Sequence, residues 1–180
     1  MKLRSKDLLR VQALEKLTHL PAERREGAAI AAFSFLTTHF LESETPIVSF
    51  SSKPLEINLQ PFNEYLMKKG KLFLPRHENS SLTIYHVQSK EELILSPFSI
   101  YEPDPHLCRR IDPEEIDLIL VPGLCFDAFH HRIGYGKGLF DKLLCTLPKA
   151  KKWGVGFKEQ WVEKIPTESH DIKLDKTLLY

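Results

Sequence analysis

No stretch of this sequence approaches the roughly 20 consecutive apolar residues that a membrane-spanning helix needs. The amino-terminal MKLRSKDLLRVQ interleaves charged and apolar residues too evenly for the apolar core of a secretory signal. Cysteine is scarce. Cys108, Cys125 and Cys145 are an odd number without CxxC spacing, which argues against a disulfide framework and for a reducing compartment. Eight histidines show neither HxH nor HExxH spacing, so a zinc enzyme is not expected. Neither charge is in excess: 25 Lys and Arg face 24 Asp and Glu, for a net charge of +1. Nothing therefore calls for nucleic acid or a membrane surface as a partner, and any anion must be held by a local cluster. Repeats, low-complexity segments and dividing linkers are also absent, and 180 residues are most economically one domain. The expectation is a soluble, cytoplasmic, monomeric protein that works on small molecules.

What is present is concentrated in residues 116–147, IDLILVPGLCFDAFHHRIGYGKGLFDKLLCTL. Ile116 and Leu118 to Val121 form a short, nearly continuous apolar run, as in a strand buried on both faces of a parallel sheet. Pro122 and Gly123 end it. Gly134, Gly136 and Gly138 then remove every second side chain, so that backbone amides can approach an anion or take left-handed angles. A helix pattern follows, with its N-terminus toward the same place. Arg132 and Lys137 add full charges, and Asp141, one turn after Lys137, is placed to hold a divalent metal against bound phosphates. The stretch is not a Walker A loop, since no GxxxxGK[ST] occurs, and Leu139 stands where GxGxxG requires its last glycine. Two readings remain: a nucleoside triphosphate site, which the order strand, Arg, glycines, Lys and Asp favours, or a flexible glycine turn with solvated cations. Cys125 reads as a small buried filler.

Pro122-Gly123-x-x-Phe126-Asp127 followed by Arg132-Ile133-Gly134-Tyr135-Gly136-Lys137-Gly138-x-Phe140-Asp141 resembles the signature of the 5-formyltetrahydrofolate cyclo-ligase (5,10-methenyltetrahydrofolate synthetase) family. The likeness extends from Lys6 to Asp175. Residues 4–19 read as an amphipathic helix with Leu8, Leu9, Ala13, Leu14 and Leu17 on its apolar side. Lys6 and Arg10, four apart, share a face that on the residues alone is better explained by solvation. The family opens with such a Lys-x-x-Leu-Arg helix, and the resemblance implies that both cations bind ATP phosphates; Lys2 and Arg4 are set aside. A second helix is expected over 23–41, a strand over 47–51, a helix from Asn58 to Lys69, a strand over 70–76, a polar turn at 77–81, strands over 82–87 and 152–157, and close backbone approach at Gly154 and Gly156. Glu56 matches the family's folate-contacting acid, although by itself it is a first-turn helix carboxylate. Leu74-Pro75-Arg76 is similar to a family segment and places Arg76 near a ligand crevice. Phe98, in a segment like the family's aromatic-x-Ile-x-Glu-Pro loop, either packs on the pterin or belongs to the core. Gln160, Pro166, Glu168, His170, Asp171 and Asp175 match the closing pattern.

Alternating helices and short buried strands independently predict a three-layer α/β/α sandwich with a mostly parallel central sheet. The resemblance implies ATP- and Mg2+-dependent cyclisation of 5-formyltetrahydrofolate, with reduced folate and ATP as the small-molecule partners. On the resemblance, Lys137 and Arg132 are expected to act catalytically, and Lys6, Arg10, Arg132, Ile133, Gly134, Tyr135, Gly136, Lys137, Gly138 and Phe140 to bind ATP. Ser51, Glu56, Phe98 and Tyr135 to Leu139 would border the folate, and Asp141 and Asp171 would hold magnesium. Leu139 and Phe140 replace the family's usual Tyr-Tyr, removing one stacking surface, and His130-His131 stand where a glycine is often found. A nucleotide- or folate-binding regulator and a sugar-phosphate isomerase are the alternatives.

Overall fold

The computed structural model describes residues 5–42 and 44–180, so that Lys2 and Arg4 lie outside the described residues. Helices α1 (Ser5–Thr18) and α2 (Ala22–His39) lead to β1 (Ile47–Val48), α3 (Gln60–Lys68) and the hairpin of β2 (Leu72–Glu78) and β3 (Ser81–Val87). A second hairpin, β4 (Leu93–Leu95) with β5 (Tyr101–Pro103), precedes β6 (Arg109–Arg110) and β7 (Leu118–Val121). A third, β8 (Cys125–Phe126) with β9 (Arg132–Ile133), is followed by α4 (Leu139–Cys145), β10 (Lys151–Gly156) and β11 (Lys176–Leu179).

Seven strands form one sheet in the order β11-β10-β7-β1-β2-β3-β6. The pairings from β11 to β2 are parallel, and β3 and β6 close the sheet with antiparallel ones. Successive strand residues point to opposite faces. Leu118 and Leu120 join Ile47, Leu72 and Leu74 in the core shared with α1, α2 and α3, while Ile119 and Val121 join Val48 and Phe73 against Leu143 and Leu144 of α4. The sandwich thus has three helices on one face and one on the other, and the apolar run at 118–121 reflects burial on both. On α2, Ala28, Ala32 and Leu36 recur every four residues, so small side chains let the helix lie close to the sheet. On α1 the buried stripe is Ala13 and Leu17, with Leu9 and Leu14 beside it; Leu8, expected to face the core, is 47% exposed because it lies one residue around the helix from Leu9.

Several boundaries differ from those expected. Only Ile47 and Val48 of the 47–51 segment are strand. The helix expected from Asn58 begins at Gln60, because the Asn58 side chain accepts the Gln60 N–H and makes a turn ahead of Pro61. The 77–81 turn is shorter than expected. β2 runs to Glu78, and Asn79, at φ 52°, tolerates the left-handed angle of a two-residue hairpin. The 151–156 segment has neighbours on both sides, β7 and β11. From β1 the chain passes to β2 on one side, while β7 lies on the other, so the carboxyl ends of β1 and β7 meet at a topological switch point, where open α/β sheets place their ligands. Among the described residues no helix is long and apolar enough to cross a membrane.

Candidate active site

A cavity of about 1010 Å3 opens at that switch point. Phe50 and Ser51 reach it from just beyond β1, Pro122 from just beyond β7, Pro75 and His77 from β2, and residues 132–141 from β9, the glycine segment and α4. Every residue assigned from the sequence to ATP, folate or magnesium lines it, whereas Arg76, Gln160 and Asp175 do not.

Its floor is cationic. Arg132, on β9, is buried, and its Nη2 donates to Asp141 Oδ1 at 2.8 Å; its Nε is buried with no partner. The Arg10 Nε donates to the Gly134 carbonyl at 3.0 Å, and its guanidinium lies against Gly136, where an added Cβ would sit 3.4 Å from Cζ. Lys6 Nζ meets Asp171 Oδ2 at 2.6 Å and Glu168 Oε2 at 2.8 Å. Burial alone would lower the Lys6 pKa, but these two carboxylates outweigh it and hold its proton above the usual lysine value. Both cations of α1 therefore line the cavity, Arg10 against the glycine segment and Lys6 against the closing segment. Gly136 and Gly138, at φ +96° and +64°, take the left-handed angles expected of them, whereas Gly134 does not.

Two details correct the sequence picture. Lys137 and Asp141 do not share a helix face: α4 starts at Leu139, with Gly138 as its N-cap, so Lys137 stands in the loop and its ammonium lies 4.9 Å above the Phe98 ring. Asp141 is brought to the site by its bond to Arg132 instead. Ile133, assigned to ATP, turns its side chain into the core, and its carbonyl accepts from Leu124 N–H.

The opposite wall is apolar and acidic. Phe98 is 37% exposed and meets His77 edge-on at 5.0 Å, so it is a cavity wall rather than core. Glu56 is buried, its Oε2 accepting the Lys53 N–H at 2.8 Å; desolvation, only partly offset by Lys53 and Tyr135, pushes its carboxyl above the usual range. Lys53 Nζ lies 4.1 Å over the Tyr135 ring, and burial followed by the Glu56 charge raises the Tyr135 phenol. The Ser51 hydroxyl donates to the Tyr101 carbonyl, which leaves it only an acceptor role toward a ligand. Arg76 misses the crevice, as its Nη1 is committed to the Pro103 carbonyl at 2.7 Å. Gln160 and Asp175 accept the backbone N–H groups of Phe157 and Lys152 and are structural.

Over residues 2–179 the chain matches the family model of the 5-formyltetrahydrofolate cyclo-ligase family. The chain belongs to this family. A mouse (Mus musculus) 5-formyltetrahydrofolate cyclo-ligase is 30% identical over 94% of the chain and 91% of its own length, and that of Escherichia coli K12 is 30% identical over 86% and 88%. The solution structure of Aquifex aeolicus 5,10-methenyltetrahydrofolate synthetase superposes with a TM-score of 0.86, at 32% identity, over 97% of this chain and 89% of that one.

Cyclo-ligase family membership puts Lys53, His77, Glu102, Glu168 and His170 in a new light, since they line the same cavity and were not assigned from the sequence. Glu102 sat in a quoted Glu-Pro, and Glu168 and His170 in the closing pattern, but none had a local signal of ligand contact. As to a divalent ion, Asp141 and Asp171 offer hard carboxylate oxygens, each with one oxygen tied to a cation and the other left for a second partner, and Ile172 N–H donates to Asp141 Oδ1 at 3.4 Å, drawing the two segments together. Ligand atoms of Glu168, His170 and Asp171 also lie within 4.8 Å of one another. This oxygen-rich set fits magnesium.

Proposed function

We propose that the protein is a cytoplasmic, monomeric, single-domain enzyme that cyclises 5-formyltetrahydrofolate to 5,10-methenyltetrahydrofolate at the expense of ATP, releasing ADP and phosphate. The observation that carries this reading is the polarity of this cavity. A floor of three cations, Lys6, Arg10 and Arg132, with Lys137 as a fourth between it and the opposite wall of Phe98, Glu56 and Tyr135, lets a triphosphate and a reduced pterin meet in it. Four cations suit a triphosphate better than the single phosphate of a sugar-phosphate isomerase. Family membership and the absence of any disulfide among three free cysteines support the reading.

In the reaction the formyl oxygen takes the γ-phosphoryl group as ADP departs, N10 bonds to the activated carbon and gives up its proton, and the carbon–oxygen bond breaks so that the oxygen leaves as phosphate. The protein's part is positioning and charge neutralisation. Arg10 and Arg132 fix the phosphates from the helix and hairpin sides. Lys137, on the loop between floor and wall, neutralises charge at the transferred group. Glu56 and Phe98 hold the pterin, with Leu139 in place of an aromatic ring. Asp141 and Asp171 would hold magnesium, which when bound supplies further charge neutralisation on the phosphates. The test is the absorbance of methenyltetrahydrofolate formed from 5-formyltetrahydrofolate, ATP and magnesium. Lys137→Ala should lower kcat/KM by about 100- to 1000-fold. ATP binding without turnover in the wild type would instead mark a regulator of the same fold, and full rate in Lys137→Ala at limiting ATP would remove that residue from the mechanism.

A further inference from the structure

The turn after β1 has a hollow on either side. Behind it, between α2 and residues 52–61, lies a second cavity of about 610 Å3, and Lys53 and Glu56 line both, so the turn is a partition. The sequence of α2 explains the space. Ala28, Ala32 and Leu36 face the sheet; one residue further round the helix, Ala22, Arg25, Ala29 and Phe33 line the second cavity, and the two alanines leave it open. Phe157, 1% exposed, lies beneath, while Ile30 in the same lining is 62% exposed. Arg25 brings a charge with no counter-charge. Its Nε donates to the Leu20 carbonyl at 3.1 Å, its Nη2 to the Leu17 carbonyl and its Nη1 to the Pro54 carbonyl at 3.2 Å, and its guanidinium stands 5.7 Å from the centre of the Phe157 ring. All of these partners are neutral, and among the described residues no carboxylate is paired with it. Glu26, the next residue, is exposed, so water screens it. A half-buried guanidinium above apolar surface suits a ligand that is apolar at one end and anionic at the other.

We propose that this second cavity is a regulatory site for a small amphipathic carboxylate, its apolar body over Phe33 and Phe157 and its carboxylate on Arg25, and that filling it weakens folate binding across the partition. The inference rests on the cyclo-ligase reading and goes beyond it. The route between the two sites is short. The bond from Nη1 to Pro54 is the longest of the three that Arg25 makes and the one exposed to solvent, so it is the donor that an arriving carboxylate takes. Pro54 then loses its hold on α2. It lies within a turn closed by Glu56 N–H on the Lys53 carbonyl at 2.9 Å and by Lys53 N–H on Glu56 Oε2 at 2.8 Å, so a loosened Pro54 displaces the Glu56 carboxyl on the folate side. The coupling is reciprocal, and bound folate weakens the carboxylate by the same factor.

The probe is 2-naphthoate, two fused apolar rings with one carboxylate, titrated by calorimetry into the full-length protein. It should bind about 10-fold more weakly to Ile30→Glu, whose new charge repels it, and the uncharged 2-naphthamide should bind wild type more weakly by a similar factor. Ile30 is exposed and outside the large cavity, so Ile30→Glu should fold and keep the wild-type dissociation constant for 5-formyltetrahydrofolate. Saturating 2-naphthoate should raise that constant in wild type about 5- to 10-fold, to a plateau, and the same concentrations should leave it nearly unmoved in Ile30→Glu. Equal binding of 2-naphthoate by wild type and variant, or of 2-naphthamide and 2-naphthoate by wild type, overturns the site. A rise without a plateau, the same in both proteins, is competition in the large cavity and overturns it too. If wild type binds no 5-formyltetrahydrofolate even without 2-naphthoate, the cyclo-ligase reading falls and the regulation with it; if folate binds and is cyclised at a constant that 2-naphthoate does not change, only the regulatory role falls.

Discussion

Asp127 is fully buried, and it accepts hydrogen bonds from the backbone N–H groups of Phe129, His131 and Ile165 and from the His131 ring. Burial by itself would raise its pKa; these donors outweigh burial and hold the carboxyl below the usual aspartate value. It shapes the turn from β8 to β9 that delivers Arg132, and it ties the segment after Ile165 to the same turn. His130, at φ +63°, takes there the left-handed angle that glycine fills more readily. Because the folded pKa is depressed, the stabilisation is complete above the unfolded value of 3.8 and is lost as pH falls through the folded one. Asp127→Asn should therefore cost about 2–3 kcal/mol in urea unfolding at pH 7. The difference from wild type should shrink at pH 3; an equal deficit at both values would mean that the charge contributes nothing. The sequence showed Asp127 only as a letter in a motif, since its partner Ile165 is 38 residues away and no local pattern announces such a bond.

Among elements, β10 shows a reading that was right in kind and wrong in object. Gly154 and Gly156 were expected to admit a neighbouring backbone. They admit side chains instead: a Cβ at Gly154 would lie 2.6 Å from Leu174 Cδ1 and 2.7 Å from the Phe126 ring, and one at Gly156 would lie 2.2 Å from Gln160 Oε1. Phe126 fills the space that these glycines leave beneath the β8–β9 hairpin. Gly154→Ala should thus cost about 1–3 kcal/mol, as overpacking does. Gly27, inside α2 with nothing within 4 Å of its would-be Cβ, is the contrast, and Gly27→Ala should gain up to about 1 kcal/mol. Urea midpoints of the two variants should move in opposite directions, and a neutral Gly154→Ala would contradict the packing described. The long helices and the 118–121 strand were legible from periodicity. The hairpins β4–β5 and β8–β9 were not, because two or three residues cannot display a period, and it is these that carry Glu102 and Arg132.

At the scale of the molecule, the site joins chain ends: Lys6, near the start, is held by Asp171 and Glu168, near the finish. Fold class and the participating segments could be read from the sequence, whereas the meeting of β1 with β7 depends on strand order, which no local stretch encodes. In the ligand-free protein the carboxylates hold the ammonium that phosphates would claim. The side chains of Lys6 and Asp171 are only 15% and 18% exposed, so this pair is weakly screened and its exchange for a nucleotide has a real cost. Asp171 is one of the residues that would hold magnesium, and a bound divalent ion would offset that cost by replacing the charge of Lys6. ATP without magnesium should accordingly bind poorly. With Mg-ATP at about 100 times its dissociation constant the protein should gain about 2.7 kcal/mol. For a chain of this size that raises Tm by roughly 5–10 °C. Asp171→Asn should reduce the magnesium dependence of the shift, because Lys6 is then held by Glu168 alone and exchanges more readily, and hydrogen exchange over 166–172 should quicken as the tie to α1 is weakened. Equal shifts with and without magnesium in the wild type would show that Lys6 and Asp171 do not trade partners when nucleotide binds.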